Sequence, residues 1–298
     1  MGADVNHPAP GDRLRPSFCS VIASMDSRAC RYSASLRAQG PRVEIISDLE
    51  AMTVELFKVR PPTSLLFASD IQAFYQQSKA KPERILFFRD GVSEGQFAHV
   101  VEAEIKAIRS ACEALEKGYS PKVTFIVVAK RHHVRFFPTD RREADRTGNC
   151  MTGTVVDNDI CHPQFYDYYL LSHPGLQGTS RPTHYSILVD ENKLSVDDLQ
   201  ALCYNLCHVY ARCTRVVSIV PPVYYAHLVG RRARFHTRIG ASGEPTEDSA
   251  SSVGNTGNTV GTDEAAVAED AMVAAYAPVR PSLQKSIFIS TFHVLANV

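Results

Sequence analysis

An α/β protein with a mixed sheet is the fold class this 298-residue sequence predicts, and a short central stretch carries most of the prediction. The apolar run Ile85-Leu86-Phe87-Phe88 has the length and composition of a strand buried on both faces. Residues 95–118 then show helical spacing and stop at Gly118, as a helix end should. A second apolar run opens at Lys122, so strands alternate with helices, the pattern of an α/β domain.

The remaining elements follow in chain order. Residues 17–25 and 30–39 read as a strand pair around the turn-like Asp26-Ser27-Arg28. Residues 44–57 place apolar side chains at 45, 46, 49, 52, 56 and 57, which is helical spacing, and Pro61-Pro62 should end that helix. A further helical stretch, 70–81, precedes the central strand. Residues 122–137 form a strand running into a basic, aromatic segment, and 165–173 and 183–191 are further strands. Residues 195–213 are a helix whose start pairs Ser195 with Asp198 in the manner of a capping box. A short strand at 216–220 and a last helix from about Pro222 to His236 complete the body, residues 1–239. Residues 240–268, rich in Gly, Ser, Thr and acids, predict a disordered loop, and 269–298 a tail segment.

Composition removes several classes of function. No run of about 18 apolar residues offers a membrane span. The opening "MGADVNHPAPGDRLRP" lacks the apolar core of a secretory signal, and Asn6 stands where a myristoylation motif wants Ser or Thr. The eight cysteines include no CxxC pair, which predicts reduced thiols and a cytoplasmic or nuclear setting. Cys203, Cys207 and His208 are spaced for zinc, but also for one apolar helix face, and core packing is the expectation. The net charge of zero divides into about −5 beyond residue 240 and about +5 before it, a body compatible with a polyanionic partner.

Four polar residues stand at element ends, where catalytic groups tend to sit: Asp4, Glu44, Asp90 and His227. Carboxylates converging with a histidine make a hard-cation site suited to Mg²⁺ and phosphate substrates. Taken singly each has an ordinary reading: Asp90-Gly91 as a turn, Glu44 as a favourable charge at a helix start, His227 as a satisfied helix residue. Basic residues cluster at Lys130, Arg131, His132, His133, Arg135, Arg141 and Arg142, with Phe136 and Phe137 interleaved. A second group comprises Arg212, Arg215, Arg231, Arg232, Arg234 and His236. Such clusters are either solvated faces or contacts for a nucleic-acid backbone.

Seven segments in order, "GADVNHP", "RVEIISDL", "FFRDGVSEGQF", "FIVVAKRHH", "GTSRPTHY", "CHVYARCTR" and "YYAHLVGRRARFH", resemble the PIWI domain of eukaryotic-type Argonaute proteins and span nearly all of residues 2–236. The resemblance implies a ribonuclease H-like fold and guide-directed RNA cleavage in RNA silencing. It implies a catalytic set of Asp4, Glu44, Asp90 and His227. Of these, Asp4, Asp90 and His227 would ligate Mg²⁺, with Mn²⁺ as the alternative, and Glu44 would complete the set. It also assigns Lys130, Arg131, His133, Arg135, Arg181, His184, Arg212, Ser218, Tyr224 and Arg232 to the guide RNA. Implied partners are a small guide RNA, a complementary target and tryptophan-bearing silencing effectors, the last near residues 115–121. A non-cleaving binding module and a non-functional fragment are the alternatives. The family's N, PAZ and MID modules and most of its first sheet strand have no counterpart here, so a carboxy-terminal fragment is expected. Residues 58–70 read as an insertion, and the end departs from the family's aromatic tail.

Overall fold

The computed structural model describes residues 1–10, 15–58, 74 and 80–235. The Pro61-Pro62 stop, all of the 58–70 insertion beyond Lys58, the loop at 240–268 and the tail lie outside these residues, as does most of the expected helix at 70–81. Among the described residues an eight-stranded sheet runs in the order β3-β2-β1-β4-β5-β8-β7-β6. Its strands are β1 (Gly2–Asn6), β2 (Ser17–Ser24), β3 (Tyr32–Gln39), β4 (Arg84–Asp90), β5 (Lys122–Ala129), β6 (Thr154–Val156), β7 (Asp167–Leu171) and β8 (Thr183–Asp190). β4 pairs in parallel with β1 and β5, and all other pairings are antiparallel. The helices are α1 (Leu49–Lys58), α2 (Phe97–Leu115), α3 (Val196–Leu206) and α4 (Pro221–Ala233).

The helices cover both faces of the sheet, which is why its central strands are apolar throughout. Ile85, Phe87, Val123, Phe125 and Val127 face α1 and α2, where Leu49, Met52, Ile105 and Ile108 meet them. Phe88, Ile126 and Val128 face the opposite way, toward Leu199 and Cys203 of α3 and Val223 and Ala226 of α4. Alternate residues of one strand thus enter different cores, as the two-residue period of a strand requires. Cys203 and Cys207 are fully buried in the second core, as expected of packing residues.

α4 approaches the sheet closely because two glycines allow it. A Cβ on Gly2 would lie 2.5 Å from the Pro222 backbone, and one on Gly230 would lie 3.3 Å from Asn6. Ser20 in β2 donates to the Ala226 carbonyl at 2.8 Å, fixing the register of the helix over the strands. His227, the next residue, is thereby held above β1.

Several expectations need correction. α1 begins at Leu49, five residues beyond Glu44, so Glu44 does not open a helix. The buried Gln39 side chain holds this stretch instead. Its amide donates to the carbonyls of Val43 (2.7 Å) and Ile45 (3.1 Å) and accepts from the Ser47 N–H (3.3 Å). α2 ends at Leu115, and Gly118 takes its left-handed φ of +82° in the turn after it. α3 stops at Leu206, where the Cys207 carbonyl turns to accept from the Val217 N–H at 3.1 Å. Residues 216–220 form no strand, because Ser172 and Thr183 side chains take the carbonyls of Val217 and Ser218. The short edge strand β6 was not foreseen.

Candidate metal centre and basic face

Asp4 lies mid-strand on β1, 4% exposed, and Asp90 ends the neighbouring strand β4. His227 descends from α4 between them, its Nδ1 3.0 Å from Asp4 Oδ2 and its Nε2 2.9 Å from Asp90 Oδ2. Gly91 permits the turn that follows: its φ is +87°, and its N–H donates to Asp90 Oδ1 at 2.8 Å. One potential ligand atom from each of Asp4, Asp90 and His227 falls within 4.8 Å of the others, the only such group of three among the described residues.

Electrostatics gives the same site a preference for positive charge. Burial disfavours a charged His227, but contacts with Asp4 and Asp90 and their negative charges outweigh it, raising its pKa to about 10. The imidazolium thus does between two carboxylates what a bound cation does. Its Nδ1, although close to Asp4, is buried without a well-directed hydrogen bond, and so is Glu44 Oε1. Two carboxylates and an imidazole with donor atoms to spare fit a small hard divalent ion.

Glu44 reaches this centre from its loop. A Cβ on Gly91 would touch both Glu44 Oε1 (3.3 Å) and Asp4 Oδ1 (3.9 Å), so the two carboxylates flank one spot. Glu44 Oε1 lies 3.0 Å from Arg89 Nη2 and Oε2 lies 2.7 Å from His7 Nε2. Arg89 Nη2 also donates to the Glu44 carbonyl at 2.5 Å, and the Ser17 hydroxyl holds His7 Nδ1 at 2.8 Å. Arg89 is fully buried, with Glu104 on its other side, Nε to Oε1 3.0 Å. Sequence reasoning missed His7, Arg89, Glu104 and Gln39. A charged residue closing the apolar run, and an acid on the apolar face of α2, were the signals that pointed to the Arg89–Glu104 pair.

The predicted guide-strand residues fall into separate groups. Lys130 and Ser218 meet by a short hydrogen bond at the end of β5, beside the exposed Arg181. His184 is held by Asp167 at 2.5 Å and stacks on Tyr169 with ring centroids 4.2 Å apart. Arg135 folds back on the carbonyls of His132 and Val134, whereas Arg131 and His133 are exposed. Tyr224 packs on Tyr210 at 4.6 Å, Arg212 is exposed beyond α3, and Arg232 occupies the last turn of α4.

Burial, and then the charge of Arg181, lower Lys130 from its ordinary 10.5 to about 8. The folded chain therefore holds this proton less tightly than the unfolded one. The charged form costs stability below about pH 8, and the cost fades as pH rises from there toward 10.5. Lys130→Met is accordingly expected to raise the melting temperature at pH 7, by a margin that shrinks across that window. Calorimetry against pH checks this.

A mixed sheet covered by helices on both faces, with an Asp-Asp-His group where β1, β4 and α4 meet, defines a ribonuclease H-like fold. The Piwi domain profile matches residues 1–238, and the chain belongs to the Piwi-domain family of Argonaute proteins. It is similar to "Protein argonaute 14" of Oryza sativa subsp. japonica, 50% identical over 275 residues, covering 87% of this chain and 26% of that protein. Likewise it is 51% identical over 243 residues to "Protein argonaute 12" of the same subspecies, covering 79% and 23%. The chain thus spans about a quarter of the length of these curated relatives. Among solved structures it resembles the C-terminal lobe of a budding yeast Argonaute, with TM-score 0.68 and 33% identity, covering 78% of this chain and 46% of that one. Kluyveromyces polysporus Argonaute with a guide RNA gives TM-score 0.67 and 34% identity, covering 78% and 27%.

Proposed function

We propose that this Piwi domain is the endoribonuclease module of a guide-directed silencing protein. The carrying observation is the convergence of Asp4, Asp90 and His227 with Glu44 beside them. Asp4, Asp90 and His227 would hold Mg²⁺, or Mn²⁺ in its place. When bound, the metal would supply activation of water and stabilisation of the leaving 3′ oxygen. Glu44, anchored through Arg89 and His7, would orient water on the side of Asp4. Lys130, Arg181, His184 and their neighbours would grip the guide backbone, and base pairing would select the target. The products would carry 3′-hydroxyl and 5′-phosphate ends.

An Argonaute containing this domain, loaded with a guide, should cut a matched RNA once and only with Mg²⁺ or Mn²⁺ present. Chelation should stop the cut, and cutting that persists in excess chelator would refute the reading.

A second reading, recruitment of effectors bearing tryptophan, draws on one feature of the surface. A hollow of about 570 Å³ lies between the carboxyl half of α2 and the following turn, lined in part by Ile108, Cys112, Tyr119, Pro121 and Val123. The apolar part of this lining is what an inserted aromatic ring requires, and Arg109, Ser110, Glu113 and Ser120 make up its polar remainder.

A further inference from the structure

We propose that Glu104 is a positioning residue that seats the Glu44 loop against the metal centre. The inference rests on the catalytic role of Glu44 proposed above and extends it to a residue that touches neither substrate nor metal ligand.

Glu104 sits on α2 and is fully buried, an unusual place for a carboxylate. Its oxygens do two things. Both accept from Arg89 Nε, at 3.0 and 3.2 Å, and Oε1 also accepts from the Ile46 N–H at 3.4 Å. The first contact turns the guanidinium so that Nη2 faces the Glu44 carboxylate at 3.0 Å and the Glu44 carbonyl at 2.5 Å. Nη1 donates to the carbonyl of Asp90, the metal-ligand candidate itself. The second contact ties down the backbone two residues after Glu44.

Glu44 has no helix or strand to hold it. Its loop depends on Gln39 at Val43, Ile45 and Ser47, on Ser17 at the Arg42 N–H (2.9 Å), and on the Arg89–Glu104 pair. Of these supports, Glu104 alone fixes both the loop backbone and the cation that meets the Glu44 carboxylate. An arginine offers its donors in a rigid planar fork, so an acceptor that orients Nε decides where Nη2 points.

The test compares Glu104→Leu, which keeps the volume and removes both acceptors, with Glu104→Gln, which keeps an acceptor. In the 298-residue chain, amide hydrogen exchange over residues 43–48 should accelerate in the Leu variant by about tenfold or more beyond whatever acceleration β5 and α4 show from the global loss of stability. The Gln variant, which keeps an acceptor for Arg89 Nε and the Ile46 N–H, should accelerate residues 43–48 less than the Leu variant does. In a guide-loaded Argonaute containing the domain, Glu104→Leu should slow cleavage about tenfold at saturating target, leave target affinity unaltered, and add nothing in a Glu44→Gln background. Uniform acceleration across the sheet, unchanged exchange at 43–48, or a full further loss of cleavage in the Glu44→Gln background would each overturn the proposal. If Glu44→Gln itself leaves cleavage intact, the catalytic role of Glu44 falls, while the exchange result still decides the seating role.

Discussion

Asp90→Ala is expected to reduce guide-directed cleavage by at least about a thousandfold, equivalent to about 4 kcal/mol of lost transition-state stabilisation. The substitution removes a ligand candidate from the strand end and one of the two carboxylates that flank His227. Its main effect should be on chemistry and metal affinity, with a smaller loss of stability because His227 loses one of its two carboxylate partners. The backbone at Asp90 pairs with Val128 in the parallel ladder whatever the side chain, and Gly91 makes the turn. Two measurements separate the outcomes: single-turnover cleavage in a guide-loaded Argonaute containing this domain, and Mn²⁺ binding by water-proton relaxation. Both should fall together, while the chain still unfolds cooperatively at a melting temperature lowered only by the loss of the Asp90–His227 contact. Cleavage near the wild-type rate in this variant would remove Asp90 from the proposed site.

Arg89→Met should be the most destabilising single change near the site, by about 3–5 kcal/mol, the usual consequence of stripping a buried charge of its partner. The guanidinium is fully buried and joins Glu104, Glu44 and two backbone carbonyls, so its removal strands Glu104 in an apolar layer. Burial already raises the Glu104 pKa above its ordinary value, with Arg89 the main opposing influence. Without Arg89 the rise is larger. A carboxyl whose folded pKa is raised stabilises the fold when protonated and loses that contribution as pH rises. The deficit of Arg89→Met should therefore be small in acid and grow through the carboxylate range toward neutrality. Urea midpoints at several pH values test this. The double change Arg89→Met with Glu104→Leu should recover much of the stability, because an apolar pair needs no compensation. It should not recover cleavage, since Glu44 would still lack its cation.

How much of this could be read in the sequence differs from element to element. The central strand was legible because both faces of β4 are covered, which leaves an uninterrupted apolar run. The β2–β3 hairpin and the Ser195 cap of α3 were legible because turns and caps are local chemistry, and Ser195 Oγ does accept the Asp198 N–H at 3.1 Å. Helical spacing misled at 44–48, where Ile46 is buried by a loop that a glutamine side chain holds. The apolar residues at 216–220 misled in the same way, being a core-filling connection into α4 whose carbonyls face serine and threonine hydroxyls.

The four site residues were individually visible, and the resemblance named them as a set, yet what joins them is tertiary. Asp4, Asp90 and His227 are separated by 86 and 137 positions in the sequence. Parallel pairing of β1 with β4 and the close seat of α4 on Gly2 bring them within reach. By itself the sequence determined the alternation of elements, the both-sided burial of the central strand and the residue types available for metal and phosphate chemistry. These follow from local period, capping and composition. Only the tertiary structure decided that Glu44 hangs from a loop, that Arg89 is shared between it and Glu104, and that His7 closes the second side. Those are contacts between distant segments, made where a buried cation must find carboxylates, and no local pattern encodes which ones it meets.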